Sequence, residues 1–161
     1  MKRFRLVLGL LAILAFTAAC GASGAASSGA KALSPATPIA ADVALAAAPA
    51  GPLLAPGQQT KDVLVWLSST PEQPVAGNAQ LVTTLLTPKG EPIADAKVTY
   101  DTDMTNMSHG LYLVEAAPSG AGRYEGKVHF SMPGPWRVIA TIERPGVAPE
   151  RLRFEFRVKG Q

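Results

Sequence analysis

From Thr60 onward, hydrophobic and polar residues alternate with a period of two, which is the pattern of half-buried β-strands rather than of helices. Turns that contain Gly or Pro separate the alternating runs. The sequence predicts seven strands, at residues 63–68, 79–87, 96–103, 111–117, 123–132, 136–143 and 151–158. It therefore predicts an all-β domain, an immunoglobulin-like antiparallel β-sandwich of about seven strands, with a small barrel as the alternative.

The first 19 residues have the pattern of a secretory signal peptide. Three basic residues precede an apolar run from Leu6 to Ala19, and that run is too short to span a bilayer unaided. Cys20, the single cysteine, follows Thr17-Ala18-Ala19, which resembles a lipobox. We therefore expect an exported, membrane-anchored lipoprotein with a lipidated Cys20, facing the periplasm or the extracytoplasmic side. Simple cleavage after Ala19 is the alternative, but it would leave an exposed free thiol in an oxidising compartment.

Residues 20–58 are expected to be a flexible linker between the anchor and a folded domain at residues 59–161. The stretch consists mainly of Ala, Gly, Ser and Pro and contains no aromatic residue, so it offers little apolar surface for burial. As a coil it would extend over about 30–40 Å and hold the domain off the membrane.

The formal net charge of +3 belongs to the predicted export signal. Removal of residues 1–19 takes away three basic residues and no acidic one, which leaves 12 of each sign. Nothing in the charge of the mature chain therefore indicates nucleic-acid binding.

The candidate metal ligands are Met104, Met107 and His109, which lie within six positions between the third and fourth predicted strands. Thioethers and imidazole are uncharged, soft to intermediate ligands, and this combination favours Cu(I) over zinc, calcium or magnesium. A turn at Thr105-Asn106 would bring the two sulfurs to the same side. The alternative is that the methionines fill gaps in the core and the histidine caps a strand.

His129 and Met132 form a weaker second pair of candidate ligands. Strand alternation places His129 opposite Phe130 and hence towards solvent or the edge of the second sheet. Met132 is expected to pack beside Trp136 rather than to coordinate a metal.

Catalysis is not expected. Ser108 and His109 are neighbours on an extended chain, so they point apart and cannot form a nucleophile–base pair. The sequence contains no glycine-rich phosphate loop, no His-Glu-x-x-His and no Cys-x-x-Cys motif.

Three motifs resemble the YtkA-like domain, which is related to FixH-type proteins. They are Met107-Ser-His109-Gly110, Gly122-Arg-Tyr124, and the segment from Val128 to Val138 with its Met-Pro-Gly-Pro-Trp corner. The resemblance implies an immunoglobulin-like module of the bacterial envelope, associated with copper handling and with assembly of haem–copper oxidases. On this match Met107 and His109 correspond to the presumed metal-binding element, with Met104 as a third ligand. Ser108 stands where Gly is frequent in the family.

These patterns lead to hypotheses of different classes. The first is an envelope-anchored Cu(I)-binding or copper-delivery module, with an oxidase-assembly or metal-efflux protein as partner. The second is a metal-free adaptor domain that docks onto an envelope complex, for example through a sheet edge. The third is an accessory domain of such a system whose own metal site is vestigial.

Overall fold

The computed structural model describes residues 32–40, 48–108 and 112–161. The signal peptide, Cys20 and His109 lie outside these residues. Within them all regular secondary structure is β-strand, in nine strands. They are β1 (Thr37–Pro38), β2 (Gln58–Gln59), β3 (Leu64–Thr70), β4 (Gly77–Leu86), β5 (Lys97–Met104), β6 (Tyr112–Gly120), β7 (Arg123–Phe130), β8 (Gly134–Glu143) and β9 (Glu150–Val158). No helix in this part of the chain is long and apolar enough to cross a membrane.

The seven long strands, β3 to β9, confirm the predicted immunoglobulin-like sandwich. All neighbouring strands are antiparallel, in the order β1-β2-β3-β4-β7-β6-β5-β8-β9. One layer is β3-β4-β7-β6 and the other is β5-β8-β9, which is the constant-type immunoglobulin arrangement. Strand β6 belongs to both layers, because Ala116 pairs with Val98 on β5 and Ala117 pairs with Glu125 on β7. The sheet is therefore continuous on that side and curls into a half-barrel.

The core between the layers is built from alternate side chains, as the period of two predicts. The fully buried Tyr100 shows how polar atoms are accommodated there. Its hydroxyl lies 2.8 Å from the Thr83 hydroxyl and donates a hydrogen bond to the Tyr124 carbonyl at 3.1 Å. Gly126 leaves room for the ring, since a Cβ there would approach the Tyr100 ring to 2.8 Å. Burial raises the pKa of Tyr100 above its ordinary value.

The described residues before β3 pack onto the domain, and we call residues 32–40 and 48–59 the strap. Its Ile39 and Leu53 cover Leu64, Trp66 and Leu86 on the outer face of β3 and β4, where these residues form a second, smaller apolar cluster. Strand β1 pairs with β2, and β2 pairs with β3. The few apolar residues of this small-residue segment thus cover an apolar strip that would otherwise face water.

The strap also contacts β9, the edge strand of the other layer. The Ser34 amide donates to the Arg151 carbonyl at 2.9 Å, and the Arg151 amide donates to the Ser34 hydroxyl at 2.8 Å. The Gln58 side chain donates to the Arg153 carbonyl. The prediction placed the start of the folded domain at residue 59. In the structure the described parts of residues 20–58 contact the domain and join its two edge strands.

The sandwich has two ends. The methionine end carries the connections β3–β4, β5–β6 and β7–β8, whose described residues are 71–76, 105–108 and 131–133. The opposite end carries the connections β4–β5, β6–β7 and β8–β9, at residues 87–96, 121–122 and 144–149.

Candidate functional site

Met104 is the last residue of β5 and is buried in the core, with 3% of its surface exposed. It pairs with Trp136 on β8. Its terminal methyl group packs against Gly134, because a Cβ at Gly134 would lie 2.6 Å from that methyl. Its side chain thus occupies the position that the gap-filling interpretation expects. Its role as a metal ligand stays a prediction.

The connection after β5 is fixed at its root. The Met104 amide donates to the Asp103 carboxylate at 2.9 Å, and Arg137 forms an ion pair with the same carboxylate at 3.0 Å. The Thr105 amide donates to the Pro135 carbonyl at 3.1 Å. These contacts hold the β5–β6 connection against the corner that begins β8.

Met107 lies beyond this root, where the chain bends at residues 105–107, in the region of the predicted turn. Met107 is 45% exposed, so this residue is accessible from solution. His109 lies outside the described residues. The convergence of these two ligands therefore stays a prediction.

Met132 lies on the neighbouring β7–β8 connection and is half-buried against the core. The Trp136 indole donates to the Met132 carbonyl at 3.0 Å. Trp136 in turn packs edge-to-face on Phe130, with ring centroids 5.0 Å apart. Met132 thus lies beside the Trp136 corner where the sequence placed it.

His129 is exposed on the outer face of the β3-β4-β7 layer, opposite the buried Phe130. Its Nδ1 lies 2.9 Å from the amide oxygen of Asn78. It lines an open groove of about 470 Å³, whose wall also includes Tyr112 and Lys127. His129 faces this groove while Met132 packs on the core, so the two side chains have different surroundings.

The described residues contain no group of three or more His, Cys, Asp and Glu side chains that could hold a metal ion. Asp101, near the candidate cluster, has a pKa raised by burial, and the charges of Arg137 and Arg151 oppose that rise. The described residues of this end therefore offer no site of three such ligands.

Residues 57–141, slightly more than half of the chain, match the sequence profile of the YtkA-like family. The chain belongs to the YtkA-like family. Among solved structures it is similar to a DUF4426 family protein from Pseudomonas aeruginosa PAO1, with a TM-score of 0.48 and 13% identity over 64% of this chain and 96% of that chain. It is also similar to the PmoD soluble domain from Methylocystis sp. ATCC 49242 (Rockwell), with a TM-score of 0.47 and 13% identity over 65% of this chain and 98% of that chain. No curated protein matches the chain.

Sequence reasoning missed three residues that shape this end of the YtkA-like domain. Gly134 makes room for Met104, Asn78 orients His129, and Tyr112 forms a wall of the groove. Only Gly134 carried a signal in the sequence, because a glycine between two prolines marks a constrained corner. The pairing of Asn78 with His129 depends on strand register, which the sequence does not specify alone.

Proposed function

We propose that this YtkA-like protein is an exported, membrane-anchored module that binds Cu(I) and delivers it to a partner. The observation that carries the proposal is the placement of the thioethers. Every methionine after Met1 lies at the methionine end. Met104 is at the root of the β5–β6 connection, Met107 is within it, and Met132 is within the neighbouring β7–β8 connection. The copper association that the YtkA-like resemblance implies supports the same function.

The donors differ in what they contribute. Met107 is exposed and, with His109, forms the proposed primary ligand pair. Met104 is buried, so its sulfur joins the ion only if its side chain leaves the core. Met132, half-buried on the adjacent connection, is the alternative third thioether.

The chemistry of this donor set fits Cu(I). Neutral thioether and imidazole ligands suit a soft monovalent ion, whereas calcium and magnesium require oxygen ligands. Unlike cysteine, methionine cannot form disulfides in an oxidising envelope, although it can be oxidised to the sulfoxide. We propose no catalytic residue. An oxidase-assembly or metal-efflux protein is the proposed partner.

The test is an anaerobic Cu(I) titration of residues 21–161 against a chromogenic competitor. Stoichiometric capture is expected, with a large loss in Met107→Ala and in His109→Ala. Leu113→Ala is the matched control, because it removes another exposed apolar side chain near the same connection. Undiminished capture in both ligand variants, or no capture by the parent, would contradict copper binding at this site.

A second candidate function, a metal-free adaptor, is favoured by one observation. Three of the exposed large hydrophobic residues lie at the β5–β6 connection: Met107 is within it, and Tyr112 and Leu113 directly follow it. Such side chains on a surface are typical of an interaction site. The strap contacts both sheet edges, so an adaptor would dock here rather than on an edge strand. Photo-crosslinking from position 113 in intact cells would capture a partner whose binding persists after copper depletion.

A further inference from the structure

We propose that the strap turns the methionine end away from the membrane that holds the chain. The copper partner is then reached on the side of the domain that faces away from the bilayer. The orientation rests on the proposed anchor at Cys20, and only its consequence for the copper partner rests on the proposed copper site. It replaces the expectation of a long, passive spacer with a segment that sets the direction in which the domain faces.

The strap fixes the point at which the chain enters the domain. Ser34, near its beginning, exchanges two hydrogen bonds with Arg151, the second residue of β9. The start of β9 belongs to the opposite end of the sandwich. From Ser34 the chain runs along β2 through the pairs Thr37–Gln59 and Pro38–Gln58. The point at which the strap first joins the domain, at Ser34, is therefore one strand length, about 30 Å, from the methionine end.

Close packing holds the strap in place. Gly57 lies over Trp66, and a Cβ at Gly57 would approach the Trp66 ring to 2.7 Å and the end of Ile39 to 2.9 Å. The Leu54 amide donates to the Leu67 carbonyl at 2.9 Å. Further along the strap, Leu53 and Leu54 lie beside Phe156 near the methionine end. The strap thus contacts the domain along most of its length.

Docking of the strap shortens the chain between anchor and domain. Without it, the 38 residues 21–58 could extend to about 130 Å, so either end of the sandwich could reach the bilayer. With it, the 11 residues 21–31 reach at most about 40 Å from Cys20 and join the domain at the opposite end. The methionine end could then touch the bilayer only if this tether ran back along most of the sandwich.

The test uses the full lipidated chain in phosphatidylcholine–phosphatidylglycerol vesicles that contain a nitroxide-headgroup lipid. Because Cys20 carries the lipid, a cysteine introduced at an exposed position is the single reactive thiol. A fluorophore is attached in Asn106→Cys at the methionine end or in Val147→Cys at the opposite end. Because the ends are about 30 Å apart, quenching at position 147 is expected to be roughly threefold or more that at position 106.

A second pair of variants tests the strap itself. Gly57→Ala should displace the strap and bring the two quenching values towards equality. Gly160→Ala, where an added Cβ meets nothing within 4 Å, should leave the difference intact. Equal quenching in the parent, stronger quenching at position 106, or failure of the chain to float with the vesicles would overturn the proposal. The readout contains no copper, so a failed Cu(I) titration would overturn the copper site while leaving the orientation standing.

Discussion

The terminal methyl of Met104 occupies the space beside Gly134 where any larger residue would place its Cβ, at 2.6 Å from that methyl. The two residues lie on neighbouring strands, β5 and β8, at the methionine end. This relationship joins the Met-Pro-Gly-Pro-Trp corner to the candidate ligand cluster. It also shows that one of the three predicted ligands is part of the core.

Gly134→Ala should destabilise the domain by about 1–3 kcal/mol, because the added methyl group overpacks the Met104 site. Gly134 also has a positive φ of 145°, which other residues rarely adopt. Urea unfolding followed by circular dichroism measures the loss. Gly160→Ala is the matched control and should unfold at the same urea concentration as the parent. An unchanged unfolding midpoint in Gly134→Ala would contradict the packing relationship.

Substitutions of Met104 separate packing from coordination. Met104→Leu conserves volume, so it should cost less than about 1.5 kcal/mol of stability, whereas Met104→Ala should cost about 2–5 kcal/mol. If the thioether of Met104 only packs, Met104→Leu retains the Cu(I) affinity of the parent. A loss of affinity in a fully folded Met104→Leu protein would show that its sulfur coordinates the ion, and that its side chain leaves the core to do so.

Removal of the strap should weaken the fold. Residues 59–161 should be less stable than residues 32–161 by about 2–5 kcal/mol, because Leu64, Trp66 and Leu86 lose their cover. The Trp66 emission should also shift to longer wavelength as its ring meets water. Residues 21–161 serve as the control and should match residues 32–161; equal stability of all three forms would mean that the strap contributes nothing to folding.

Tyr100 gives a prediction for alkaline pH. Since burial raises its pKa, the native state disfavours the ionised phenol. The contribution of the neutral phenol to the free energy of unfolding is therefore fully present below the ordinary tyrosine pKa of about 10. It is lost as the pH rises above that value, so the free energy of unfolding should fall there. Tyr100→Phe should reduce this fall and cost about 1–3 kcal/mol at neutral pH, because the buried Thr83 hydroxyl loses a partner.

Exposed Tyr112 supplies the control for this prediction. Tyr112→Phe should leave both the neutral stability and its alkaline decline close to those of the parent. A decline that is as steep in Tyr100→Phe as in the parent would assign the alkaline sensitivity to other groups.

Much of the fold could be predicted because strand alternation reports directly on burial. Seven strands were expected within a few residues of their observed bounds, and Tyr124 and Trp136, which belong to the YtkA-like motifs, are buried in the core. Strand β6 was the exception at its end. It continues through Pro118 to Gly120, because it leaves β5 and joins β7.

The strap and the burial of Met104 could not be predicted from the same signals. The strap has few apolar residues and almost no period, and its position depends on an apolar strip that only the assembled β3–β4 pair presents. Met104 and Met107 have the same side chain three positions apart. Only the pairing of β5 with β8 places one in the core and leaves the other exposed.

The most direct test of the central claim is methyl NMR of the mature chain with ¹³C-labelled methionine, recorded during anaerobic addition of Cu(I). The chain from residue 21 contains three methionines, so three methyl signals report on the whole methionine end. We predict that the Met107 signal shifts in proportion to bound Cu(I) and reaches its end point at one equivalent, and that His109→Ala abolishes the shift. Three signals that stay unmoved at a full equivalent of Cu(I) would contradict the account.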